Sequence, residues 1–216
     1  MRFPNAFSGV KKIWLAEVLM LLAAVLSIVI IVVVAANATM NGEEVVVSET
    51  VAGVVGAITI VTALIALVAF VLNLIGLINA QKDEASFKSA LIFTLLGIVA
   101  SVVSSVWSAN SRLVKSMDVV TTLCSLFASY YVLTGIANLA EQFPDTVTKV
   151  LALKSRQMLV YTFCATAVFK CVITIFSIQE GSAVYSILGI VALVLELVSL
   201  VLYLRALSRG KQMLAK

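Results

Sequence analysis

The sequence predicts an all-α polytopic membrane protein, a bundle of six transmembrane helices with both termini in the cytoplasm. Three observations carry this. Of 216 residues, 62% are hydrophobic and only 12% are charged. A soluble domain carries about 25% charged residues, so too few are present to coat a water-facing surface. The apolar residues fall into six runs, each long enough to cross a hydrocarbon core about 30 Å thick. The cations, finally, are sorted to one side of those runs.

Residues 1–12 form a basic head. Phe3, Phe7 and then Trp14 suit an interface, beside Arg2, Lys11 and Lys12. The first run spans 13–36. Its apolar core is about twice the length of a signal-peptide core, so it reads as a retained helix although Ala36-Asn37-Ala38 fits a cleavage pattern. Residues 37–49 are polar and acidic. The second run, about 50–79, exceeds a minimal span and must tilt or protrude. A charged turn at 81–88 leads to the third run, about 87–108, which ends near Trp107. Beyond Arg112 and Lys115 comes the fourth, about 117–140. Residues 141–156 form the longest interior connection, expected on the cytoplasmic side. Within it Pro144-Asp145 marks a helix start, so a short amphipathic stretch leads into the fifth run at 157–178. Only Gln179-Glu180-Gly181-Ser182 separates that run from the sixth, 183–207. A single transmembrane domain accounts for residues 1–216.

Six crossings put both termini on one side. Of fifteen Lys and Arg, Arg112 and Lys115 fall on the opposite side and Lys170 lies inside a run, which leaves twelve on the side of the termini. The positive-inside rule makes that side the cytoplasm. The same sorting accounts for the net charge of +4. These cations sit beside membrane segments and face anionic lipid. The expected partners are therefore the lipid bilayer and a membrane protein or a second copy of the chain, with no nucleic acid. The expected location is a cell membrane, of the bacterial cytoplasmic type.

Several chemistries find no residues here. There is no histidine, which removes the commonest general base and metal ligand. Cys124, Cys164 and Cys171 lie in apolar runs without C-x-x-C spacing, and read as packing residues. No nucleophile elbow, zinc motif or phosphate-binding loop is present. The chain is expected not to be an enzyme, and no cofactor or metal is expected.

Membrane helices associate through small residues and polar contacts. Such residues recur at heptad spacing in three runs: Ala52, Gly56, Thr59, Ala63 and Ala66; Thr94, Gly97, Ser101, Ser104 and Ser108; and Tyr185, Gly189, Ala192, Glu196, Ser199 and Tyr203. These stripes are expected to face the bundle. The fourth run is the most polar, with Ser125, Ser129, Tyr130 and Tyr131.

Three ionisable residues lie inside runs. Glu17 is about a turn from the cytoplasmic end, near Lys11 and Lys12. Lys170 and Glu196 lie roughly 12 Å and 20 Å from the outer ends of their runs, an offset of about 8 Å. Thr166 and Thr174 flank Lys170. The expectation is a buried Lys170–Glu196 couple facing Ser125, Ser129, Tyr130 and Tyr131, on the path of a small solute or ion through a transporter, channel or transporter subunit. The alternative is a non-catalytic scaffold, immunity or regulatory protein that binds another membrane protein or lipid. Transport is weakened by the lack of a discontinuous helix with central Pro or paired Gly.

Overall fold

A helix continues past the end of an apolar run for as long as one of its faces can still be buried. That rule decides where the helices of this chain begin and end. The computed structural model describes residues 3–37, 39–41, 44–46, 48–107, 111–143, 145–175 and 183–215, with the backbone alone at some positions, Lys170, Thr174 and Tyr185 among them. The order is α1 (Pro4–Asn37), β1 (Thr39–Asn41), β2 (Glu44–Val46), α2 (Glu49–Ala80), α3 (Ser86–Val106), α4 (Ser111–Gln142), α5 (Thr146–Ile175) and α6 (Ala183–Leu214). β1 and β2 form a small antiparallel pair with Thr39 opposite Val46, an element that the all-helical expectation lacks. Five helices, α1, α2, α3, α4 and α6, are long and apolar enough to cross a membrane.

The chain divides into two compact units, residues 12–76 and residues 1–11 with 77–216. The first holds most of α1, the β pair and most of α2. Hydroxyls on these helices bond back to their own backbone: Ser27 to the Ala23 carbonyl, Thr59 to that of Val55 and Thr62 to that of Ile58. This back-bonding satisfies a hydroxyl in an apolar setting without a partner helix.

In the second unit α3 packs on α4, α4 on α5 and α5 on α6, while α4 also touches α6. Its core lies at one end, termed basal here, where α3 and α5 begin and α4 and α6 finish. Phe87, Leu133, Ile136, Leu139, Leu207 and Leu214 are buried there. Toward the other end large apolar side chains such as Val99, Val119, Val168 and Ile187 are exposed.

Two carboxylates set the helix starts at the basal end. Asp145 accepts hydrogen bonds from the Thr148 backbone N–H at 3.0 Å and the Thr148 hydroxyl at 2.8 Å, an N-cap that begins α5 at Thr146. Residues 146–156, expected as part of a connection, are therefore the first three turns of a continuous helix. They bury Thr148, Ala152 and Ser155. Asp83, in the turn between α2 and α3, accepts from the Ala6 backbone N–H at 2.7 Å and from Asn5 Nδ2 at 3.0 Å, which caps α1.

Two hydroxyls fix the register of α5 on α6. Ser155 Oγ shares its hydrogen between the Leu151 carbonyl of its own helix at 2.8 Å and the Leu202 carbonyl at 3.0 Å, and Thr162 Oγ1 donates to that of Leu195 at a longer 3.5 Å. Seven residues up α5 match seven residues down α6, so the helices run antiparallel in step. Ser155→Ala is expected to cost about 1 kcal/mol, read as a lower midpoint in detergent-driven unfolding of the purified protein.

Candidate functional site

The polar side chains converge on one stripe of α4: Tyr130, Thr134, Asn138 and Glu141, at the three- and four-residue steps that share a helix face. At the basal end Asn138 Nδ2 donates to Glu84 Oε1 at 2.9 Å and to Ser86 Oγ at 3.3 Å, and Ser86 Oγ donates to the same Glu84 oxygen at 2.9 Å. This network ties the turn before α3 onto α4. Beside it Gly135 lets the Phe87 ring lie against the α4 backbone, where an added Cβ would stand 2.7 Å from the ring. Farther along, Gly97 brings α3 near the Cys124 Cβ in the same way, at 3.3 Å.

α5 meets this stripe with two cations seven residues apart. Lys149 Nζ pairs with Glu141 at 2.9 Å. Arg156 Nη1 donates to Thr134 Oγ1 at 3.3 Å, and its guanidinium lies over the Tyr130 ring, 5.0 Å from the centroid. Tyr130 meets Tyr131 edge-on at 5.6 Å. Tyr131 stacks on Phe93 of α3 at 5.6 Å, and Phe93 stacks on Phe127 at 5.0 Å. An arginine thus stands at the foot of a four-ring ladder. Sequence reasoning counted Arg156 among loop cations. The available signal was its seven-residue spacing from Lys149, legible once Asp145 is taken as the helix cap.

Among the described residues, the expected site residues are not gathered into one place. Tyr130 and Tyr131 belong to the ladder and are half-buried. Ser129 is half-buried and Ser125 is exposed on α4. Thr166 Oγ1 donates to the Phe163 carbonyl of its own helix at 3.0 Å. The side chains of Lys170 and Thr174 lie outside the described residues.

Glu196 was expected to be buried in the bundle, and it is exposed on α6. The reason is visible along its stripe. Ser199 and Tyr203, nearer the basal end, are buried. Ala192 is half-buried, Gly189 is exposed, and a Cβ on Gly189 would meet nothing within 4 Å. α5 still packs on α6 at this level, where buried Thr162 donates to the Leu195 carbonyl, so Glu196 lies off the contact face. By the Ser155 and Thr162 register, Glu196 lies level with Tyr161, and Lys170 lies nine residues farther along α5, about 13 Å of helix rise. Two members of the small-residue stripe of α3 bond to their own helix: Thr94 to the Ala90 carbonyl and Ser101 to that of Gly97. Among the described residues no buried side-chain polar atom lacks a hydrogen-bond partner, and no cluster of possible metal ligands occurs.

Five helices able to cross a bilayer, carrying polar groups that are satisfied mostly within or between helices, define a multi-pass helical membrane protein. Comparison with family models, with curated proteins and with solved structures yields no match.

Proposed function

We propose that this chain crosses the membrane six times with its basal end in the cytoplasm, and that it works by binding another membrane protein. The supporting frame is dimensional. From exposed Lys88 to exposed Trp107 on α3 is nineteen residues, about 28 Å, close to the roughly 30 Å of a hydrocarbon core. α5 starts and α6 ends at the basal end, so the chain leaves that end and returns to it. α5 has 30 residues, about 45 Å of helix. Exposed Lys82, Lys88, Lys154, Arg205 and Arg209 give the basal end the charge that the cytoplasmic side favours.

The observation that carries the binding reading is Glu196. It lies nine residues from Arg205 on α6, about 13 Å of helix rise, and five residues' rise, about 7 Å, beyond the level of Arg156, and it faces away from the packed core. A carboxylate at such depth is expensive and is ordinarily paired or turned inward. On a face that its own packed unit leaves open, a second protein would supply the hydrogen bonds that offset its cost. A solute path through the bundle asks instead for Glu196 on the inside.

The test is the size of the complex extracted from native membranes in mild detergent. The wild-type chain is expected to migrate well above its monomer mass. Glu196→Ala is expected to shift it to the monomer, while Val194→Ala on the same exposed helix leaves it unchanged. Identical migration of wild type and Glu196→Ala removes the binding reading. If the chain alone carries an ion or solute into vesicles, and Lys170→Met and Glu196→Gln abolish that flux, transport replaces it.

A further inference from the structure

The aromatic ladder on α4 ends in an arginine whose hydrogen-bonding capacity is mostly unspent. A guanidinium has five N–H donors. One of those on Arg156 goes to the Thr134 hydroxyl, and the Tyr130 ring covers one face of the plane. Among the described residues no carboxylate lies within ion-pair distance of it. The two contacts hold the fork in place, and the residue is half-buried. Such a fork matches two oxygens of a phosphate.

The surroundings select the kind of phosphate. α3 and α5 both pack on α4. Going from Arg156 toward the far end, the rings that follow are Tyr130, Tyr131, Phe93 and Phe127. All four rings are at least partly exposed. The Phe127 position is seven residues beyond Thr134 on α4, about 10 Å. Arg156 itself lies two residues from exposed Lys154 on α5, at the level where the basal cations begin. A cation at headgroup depth with an apolar track rising from it has the layout of a phospholipid, phosphate at the foot and acyl chain above.

We propose that Arg156, Thr134 and Tyr130 hold the phosphodiester of an inner-leaflet phospholipid, with one acyl chain lying along Tyr131, Phe93 and Phe127. The Arg156 fork donates to the phosphate oxygens, and the ladder replaces neighbouring lipid tails along the chain. The site rests on the proposed orientation, with the basal end in the cytoplasm, and stands independently of any protein partner at Glu196.

The experiment is lipid retention by the purified full-length chain, counted by native mass spectrometry as dioleoylphosphatidylglycerol is titrated in. Wild type is expected to retain one lipid more tightly than the rest. Arg156→Gln is expected to weaken that lipid about tenfold, and Arg156→Lys, which keeps the charge but loses the fork, about threefold. Phe127→Ala weakens it with Arg156 intact. Lys154→Gln, which removes an exposed cation at the same depth, leaves it unchanged. Dioleoylglycerol, which has the chains without the phosphate, is expected not to compete, and inorganic phosphate to compete only weakly. Equal retention by Arg156→Gln and wild type overturns the site. An equal loss in Lys154→Gln assigns the effect to diffuse charge and overturns it as well. Full competition by inorganic phosphate, with no effect of Phe127→Ala, leaves a free-anion site and overturns the lipid. Arg156→Lys guards against misfolding, because a folded variant with an intermediate affinity is decisive when Arg156→Gln is unstable.

Discussion

Phe87→Ala is expected to destabilise the second unit by about 3–5 kcal/mol, the range for removing a fully buried aromatic ring. Phe87 is 0% exposed and sits where α3, α4 and the Asn138–Glu84 network meet. The ring fills space that exists because position 135 has no Cβ. Gly135→Ala should therefore also destabilise, by about 1–3 kcal/mol, through overpacking against a ring that would stand 2.7 Å away. The informative measurement is the cycle. With Phe87 already shortened to Leu, Gly135→Ala should cost far less, because its methyl group moves into vacated room. A coupling of about 1–2 kcal/mol in detergent unfolding identifies direct contact. Strict additivity means the ring and the glycine do not touch in the folded protein.

Asp83→Ala is expected to cost about 1–2 kcal/mol, with the damage confined to the start of α1. The Asp83 carboxylate is bonded to the Ala6 N–H and to Asn5 Nδ2, and without it the first turn loses its acceptor and the anionic group that favours a helix N-terminus. Asp83→Asn should fall between, since an amide oxygen still accepts but carries no charge. Amide exchange of residues 5–10 is the direct readout. Faster exchange there with unchanged exchange in α4 supports the cap. Unchanged exchange throughout means that α1 begins at Pro4 for another reason.

Apolar runs located α2 and α3 well, because these helices are apolar along their whole length and stop at polar turns. The second run, about 50–79, became Glu49–Ala80, and the third, about 87–108, became Ser86–Val106. The basal extensions were harder to see. α5 starts eleven residues before its apolar run and α6 continues to Leu214, since both keep one narrow buried face of small or short residues, such as Thr148, Ala152, Ala206 and Gly210, among exposed charges. A search for continuous hydrophobicity ends where such a face begins. The short β pair escaped because three residues per strand are too few to show a period.

The candidate site was legible in its parts and not in its assembly. Tyr130 and Tyr131 were picked out, but Arg156, which closes their ladder, looked like a loop cation until α5 was continuous beneath it. The small-residue stripe of α6 correctly marked Ser199 and Tyr203 as packed. Glu196 is exposed although buried Thr162 meets α6 at its level, so heptad spacing misplaces the contact face at this position.

The depth of Glu196 and the headgroup level of Arg156 both rest on the chain crossing six times with the basal end in the cytoplasm. The direct test is labelling of single cysteines in intact cells with a membrane-impermeant maleimide, after Cys124, Cys164 and Cys171 are changed to Ser. Cysteine at Ser182, between α5 and α6, should label from outside. Cysteine at Gln212, at the basal end of α6, should label only after the cells are broken. If both positions label from the same side, α6 does not cross, and the membrane frame for both sites is wrong.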